Sequence, residues 1–321
     1  MIGGYIHHFD QLAERTLGEL IATFQAGGIT EARYKTHQAQ TWIGRWDGGG
    51  AADITGIAEL RRVHETFEAA GIRSYPWCVP MGLDVEGEAH FAAAVARVTG
   101  RLDFDLEPYE EFWPAVARGD VSAVGPFFRR VRELVGPSVE LTLDFPARNS
   151  AWEWGKVKPA VAAAAPYVDR FALQSYFGLS QAKDAEWRVR QVLGSGNKPI
   201  DHIIDTDPIG EFGELLEWLS GERAEHCLIW RATDMSPRAY EVLKRYRFPG
   251  GGPVPMPTPI PAPMRWEGVG FERLAAQLGA TVVGEPGGAA YPDGQGNVRQ
   301  AGARGLALWV KQENRNYWSP A

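Results

Sequence analysis

The chain has 321 residues, 45% of them apolar and 23% charged, with a formal net charge of −7 and a pI near 5.6. That balance describes an ordinary globular protein, and the acidic surplus argues against a nucleic-acid binder, which needs a basic face. No apolar run reaches the roughly 18 residues of a membrane span. The opening MIGGYIHHFDQ has neither the charged head nor the apolar stretch of a secretion signal. The expectation is therefore synthesis in a cytoplasm, with any route outward by lysis, as in a phage. Cys78 and Cys227 lie in apolar segments without metal-ligand spacing and read as reduced core residues.

In chain order, short apolar strands alternate with amphipathic helices. GGYIHHF is a strand, followed by a helix over residues 11–26. ITEARYKTH is the second strand, followed by a Gly- and Trp-rich loop and a helix over 54–70. IRSYPWCVP leads to a helix over 86–99, RLDFDLE to one over 121–135, and VELTLDF to one over 152–165. DRFALQSYF precedes a helix over 181–193, PIDHIID one over 211–219, and HCLIWRA one over 237–246. Strict βα alternation gives a parallel sheet covered by helices. Eight units in about 250 residues fit a closed (β/α)₈ TIM barrel better than an open, doubly wound sheet. No glycine-rich phosphate loop follows the first strand.

The barrel is expected over residues 1–248. A Pro-rich linker, FPGGGPVPMPTPIPAPM, then runs to 264, extended because proline fixes its own φ. Residues 265–321 read as a small α+β module, with a helix near 271–278, a terminal strand or hairpin in GLALWVKQENRNYW, and Trp266, Trp309 and Trp318. A module this small is marginal alone. A role in wall binding, docking or oligomerisation and simple packing on the barrel both stay open.

Catalytic groups of such barrels sit at the carboxyl ends of the strands. In Leu102-Asp103-Phe104-Asp105-Leu106-Glu107 the faces alternate, so the three acids point inward and the three apolar residues outward. Inward carboxylates raise one another's pKa, and burial disfavours ionisation. A packed core does not hold such a row without paired cations or a function, and neighbouring acids with unequal proton affinity suit acid–base chemistry. The plainer alternative is a solvated strand end with Asp103 bonded to the barrel floor. Other strand ends supply Lys35 and His37, Trp77, Asp144 with Arg148, Gln174 and Tyr176, and Trp230 with Arg231 and Asp234. The first strand offers His7, His8 and Asp10, and the loop after the second offers Trp42, Arg45 and Trp46. The histidines lack metal-site spacing backed by carboxylates, so neither metal nor cofactor is expected, and no serine sits in a nucleophile elbow.

Asp103-x-Asp105-x-Glu107, Gln174-x-Tyr176 and Trp230 together resemble the chitinase-like family 18 glycoside hydrolases. The resemblance implies Glu107 as proton donor, Asp105 as the residue positioning a substrate acetamido group, Tyr176 as that group's hydrogen-bond partner and Trp230 as the sugar platform. Asp103 joins the catalytic row. Gln174, Asp144, Trp77, His37 and Lys35 are the expected substrate contacts. Gly100 stands where the family's pattern begins with a further Asp, and Tyr75-Pro76-Trp77 replaces its small residues on strand three. The strand-four Asp-x-Glu also resembles the family 25 muramidases, with Asp10 matching an acid on strand one but Gln174 and Tyr176 standing where strand six carries another. The expected activity is retaining hydrolysis of an N-acetylhexosamine polysaccharide, peptidoglycan or chitin-like, of the lysozyme-like, cell-wall-degrading kind. The rival expectation is a non-catalytic carbohydrate-binding barrel, for example in a phage or cell-surface structural protein. The expected partner is the polysaccharide, with no nucleic acid and no membrane span, and with the C-terminal module free to bind cell wall or another protein.

Overall fold

In a computed structural model of the chain, the residues described are 1–148, 153–193, 198–222, 224–232, 235–246 and 248, together with four short strands between 291 and 320. They fall into two compact units, Met1–Thr206 with Glu211–Pro255, and Asp207–Gly210 with Met256–Ala321. Among the described residues no helix is long and apolar enough to cross a membrane.

The first unit carries eight parallel strands, β1 (Ile2–Ile6), β2 (Glu31–Gln38), β3 (Arg73–Val79), β4 (Arg101–Asp105), β5 (Glu140–Pro146), β6 (Arg170–Gln174), β7 (Ile200–Asp205) and β8 (Cys227–Trp230). Each pairs with its neighbour, and β1 pairs with both β2 and β8, which closes the cylinder. The longer helices between strands are α1 (Leu17–Gly27), α2 (Ile57–Ala69), α3 (Val85–Thr99), α4 (Val124–Val135), α5 (Glu153–Ala164), α6 (Gly178–Leu193) and α7 (Ile209–Gly221), with a single short turn at Pro114–Ala117 before α4, and α8 (Pro237–Leu243) follows the last strand. This is the (β/α)₈ barrel that the alternation predicts.

The helix layer follows from spacing. In α4 the buried residues are Val124, Phe127, Phe128 and Val131, one apolar stripe at helical period. Phe127 and Phe128 meet the outward Phe104 of β4 at ring distances of 5.8 and 5.0 Å. The assignment of Phe104 to the helix side, and hence of its neighbours to the interior, is therefore correct. Gly100, where the longer acid pattern would have an Asp, ends α3 with a φ of +73°, a left-handed position that favours glycine.

One departure from simple alternation matters for the site. Between Lys35 and His37 the β2–β3 register shifts by one residue, a β-bulge. Beyond β2 the chain turns at Ala39 and Gln40 and comes back as a two-residue strand, Thr41–Trp42, so that Gln38 faces Thr41 and His37 faces Trp42. The second unit holds an antiparallel sheet of β9 (Tyr291–Pro292), β10 (Val298–Gly302), β11 (Gly305–Val310) and β12 (Arg315–Pro320). In it β11 and β12 form the terminal hairpin, with Trp309 opposite Asn316 and Trp318 opposite Ala307. The expected helix near 271–278, Trp266 and Asp234 lie outside the described residues.

Candidate active site

The barrel interior is built in levels, the deepest ionic. Arg33 of β2 is fully buried and bonds Glu31 at 2.6 Å and Asp103 at 2.7 Å. Tyr5 of β1 donates its hydroxyl to Asp103 at 2.5 Å, and the guanidinium lies 4.1 Å from the Tyr75 ring centre. Burial alone pushes the Glu31 carboxyl up, but Arg33, His226 and Arg73 outweigh it and hold Glu31 below the usual carboxylate range. For Asp103 burial wins and its pKa is raised, with Arg33 and Tyr5 opposing. Asp103 thus lies in the buried ionic floor, bonded to Arg33 and Tyr5.

One level up, Asp105 and Asp144 sit side by side in register on β4 and β5. Both are almost fully buried and both are raised well above the ordinary range. Burial is the first cause; then Glu107 for Asp105, and Asp105 and Asp103 for Asp144. Glu107 stands past the end of β4, and its carboxyl shares a hydrogen bond with Asp105. Burial raises Glu107 as well, Gln174 and Arg148 lower it, and Glu153 raises it. The Gln174 side-chain amide, at the end of β6, donates to Asp105 at 3.2 Å and to Glu107 at 2.9 Å. It also bonds Asp144. One amide therefore ties three carboxyls together, so Gln174 organises the acids directly. Lys35 of β2 is buried over the Trp77 ring at 5.3 Å, and burial lowers its pKa against the pull of Asp105.

The mouth is aromatic. Tyr176, just past β6, packs with Trp230 and Phe112 on the cluster formed by Tyr5, Trp77, Val79, Ala172, Ile203 and Leu228. Burial, then Asp144, Asp105 and Glu107, push the Tyr176 phenol well up, so it stays a protonated donor. Among the described residues its hydroxyl makes no hydrogen bond. Trp230 ends β8, with its ring edge-on to Tyr5 at 5.8 Å and to Trp77 at 6.0 Å, and its peptide bond to Arg231 is cis. His7 lies flat on Trp77 at 5.9 Å and is pushed down to about 3 by burial and by Lys35, His8 and Arg231. It is neutral near pH 7. Beside Glu107, Arg148 pairs with Glu153 and donates to the Tyr109 hydroxyl at 3.0 Å, and that hydroxyl donates to Glu153 at 2.9 Å.

Asp103, Asp105, Glu107, Asp144, Gln174, Tyr176, Trp230 and Lys35 thus line one interior. Two expected contacts are corrected. His37 does not face it: the bulge turns the ring onto Phe91 of α3 at 4.9 Å, with Nδ1 at 2.8 Å from the Thr36 hydroxyl. Trp77 points inward, but it is 1% exposed and its indole N–H donates to the Ile6 carbonyl at 3.1 Å. It supports Trp230 from below instead of offering a face to sugar. The sequence reading missed Asp47, a buried acid accepting the backbone N–H groups of Phe9 at 2.7 Å and Asp10 at 2.6 Å. Burial lifts it to about 6. Ligand-type atoms of His8, Asp10 and Asp47 fall within 4.8 Å of one another, a grouping invisible in sequence because 37 positions separate Asp10 from Asp47. The network Tyr109–Arg148–Glu153 was likewise missed, since Glu153 reads as an ordinary first-turn helix acid.

No protein-family model and no curated protein sequence matches the chain. Solved structures do match. A chitinase from Rhizomucor miehei superposes with a TM-score of 0.51 at 9% identity, over 75% of this chain and 98% of that one. The Bacillus cereus spore cortex-lytic enzyme SleL gives 0.41 at 11%, over 64% and 50%. The chitinase domain of the spore coat protein CotE from Clostridium difficile gives 0.41 at 14%, over 63% and 64%. The barrel shares the (β/α)₈ fold of that Rhizomucor miehei chitinase. At these identities the likeness is one of fold, and the chemistry rests on the side chains above.

Proposed function

We propose that the barrel is a retaining glycoside hydrolase acting on an N-acetylhexosamine polymer, chitin-like or peptidoglycan. The observation that carries this reading is the hydrogen bond between Asp105 and Glu107, held by Gln174 beneath a free Tyr176 hydroxyl. Glu107 has a raised pKa and faces the mouth, so it protonates the glycosidic oxygen as the bond to the leaving sugar breaks. Asp105 and Tyr176 hold the substrate's acetamido group, whose oxygen attacks the anomeric carbon. Water then opens that intermediate, with Glu107 taking back a proton. Trp230 offers the apolar floor that a sugar ring stacks on. The chitinase and cortex-lytic names of the similar structures agree with this substrate class.

The test is reducing-sugar release from chitin oligomers and from purified peptidoglycan by the wild type and by Glu107→Gln. Loss of the general acid is expected to lower the rate by about 10²–10⁴. A wild type that binds these sugars as well as the variant and cuts none of them would make the barrel a carbohydrate-binding protein and overturn the mechanism.

A further inference from the structure

The loop after β2 builds a second feature outside the acid cluster. Its residues Gln40, Thr41, Trp42, Gly44 and Arg45, with Thr55, line an open groove of about 340 Å³, within the size range of small-ligand sites. The groove lies on the side of the barrel where the strands end, the same side as the acid row. It is connected to that row through the hairpin: Gln38 accepts from Lys35 at 3.4 Å, and the next residues turn into Thr41–Trp42.

The groove is held in shape from several directions. Ala39 N–H donates to Val79 O at 2.9 Å and Gly44 N–H to Ile54 O at 3.0 Å. Gln38 donates to Glu111 O at 2.7 Å and Gln40 to Asp84 at 2.9 Å. Trp42 is fixed by Phe91, 4.7 Å away between ring centres. Arg45 is different. Among the described residues no acid pairs with its guanidinium and the guanidinium makes no hydrogen bond, whereas Arg33 and Arg148 of the barrel are both paired with acids. A solvent-facing guanidinium beside a fixed indole, in an acidic protein with carboxylates available elsewhere, offers a planar fork of donors to an incoming carboxylate.

We propose that this groove is a subsite for a carboxylate-bearing residue of the sugar polymer, with Arg45 the cation that selects acid-substituted over neutral N-acetylhexosamine chains. Trp42 takes the sugar face and Arg45 the acid group. The inference rests on the polysaccharide reading of the barrel and deepens it: the substrate class becomes an N-acetylhexosamine polymer carrying carboxylates, as peptidoglycan does, rather than plain chitin.

The experiment compares binding by calorimetry to full-length Glu107→Gln and to the same chain with Arg45→Gln or Arg45→Lys. The probes are a neutral N-acetylglucosamine oligomer and a peptide-free peptidoglycan glycan fragment of equal length, whose lactyl groups are free carboxylates. Arg45→Gln is expected to weaken the acid-bearing fragment roughly 10- to 100-fold, the range for a lost hydrogen bond to a charged group. The neutral oligomer is expected to bind unchanged, and Arg45→Lys to recover part of the loss. Added salt should reduce the preference in the parent and not in Arg45→Gln. Equal loss on both probes, or no loss on either, overturns the subsite, as does failure of the parent to bind the acid-bearing fragment. Failure of the hydrolase reading is separate: it shows as sugar binding without cleavage by the wild type, and it leaves the binding ratio intact.

Discussion

Asp144 shows what a buried, inward carboxyl costs the fold. It is buried next to Asp105, its Oδ1 has no hydrogen-bond partner, and its pKa is raised by burial and then by Asp105 and Asp103. An acid whose folded pKa exceeds its unfolded one binds more protons folded than unfolded. Its contribution to stability is therefore fully present below the unfolded pKa and declines as pH rises toward the folded value. Asp144→Asn removes that titration. The variant is expected to match the wild type at about pH 3 and to exceed it at pH 7 by about 1 kcal/mol, the scale of ordinary stabilising substitutions. For a barrel of this size that is a Tm rise of about 2–4 °C. Melting curves across the pH range check it, and a wild type that is the more stable of the two at neutral pH would refute the assignment. The position of Asp144 and the inward row were legible from strand alternation. The joining of three carboxyls by the Gln174 amide was not, because it depends on β4, β5 and β6 meeting in register.

At the scale of elements, the sequence announces each strand and helix through its period, and the structure changes mainly their ends. It is silent on what pins the loops between them. Glu88 reads as a first-turn acid of α3, suited to the helix dipole. In the fold it is 2% exposed and accepts four backbone N–H groups, from Met81, Gly82, Leu83 and Asp84, at 2.8, 3.0, 2.9 and 3.2 Å. One carboxylate fixes the whole turn after β3, and Asp84 of that turn anchors Gln40 of the proposed subsite. Glu88→Gln presents a donor where two of those N–H groups need an acceptor. It is expected to destabilise by about 2–4 kcal/mol, from charge-assisted bonds lost and donors left buried. It is also expected to loosen Arg45 recognition while sparing the acid row. Urea denaturation gives the first figure, and a cost under 1 kcal/mol would mean the turn is held by something else. The β2 bulge belongs to the same scale. Period two puts Lys35 and His37 on one face, and an inserted residue separates them, a change with no composition signature in EARYKTHQ.

For the molecule as a whole, closure of the barrel brings polar side chains of β1, β2 and β4 together on a buried floor, where they are matched by charge. Arg33 is the hub: it is fully buried, pairs with Glu31 and Asp103, and stacks near Tyr75 and Tyr5. The sequence reading took Lys35 as a site contact and made nothing of Glu31 and Arg33, because their meeting with Asp103 depends on β2 and β4 facing one another across the closed barrel. Buried ion pairs contribute little net stability compared with apolar packing, but breaking one strands the partner's charge. Arg33→Met is therefore expected to cost about 3–5 kcal/mol, leaving Glu31 with only the longer contacts to Arg73 and His226, and Asp103 with only the Tyr5 hydroxyl. A triple variant, Glu31→Leu, Arg33→Met and Asp103→Leu, removes all three charges together and is expected to recover most of that loss. The comparison separates two accounts of the floor. If Arg33 acts through charge compensation, the triple variant is markedly more stable than Arg33→Met in denaturant. If it acts through packing of its long side chain against Tyr75, Met at 33 retains most of the volume, the single change costs under 1 kcal/mol, and removing the acids gains nothing further. In the first case Asp103 serves the buried ionic floor of the barrel.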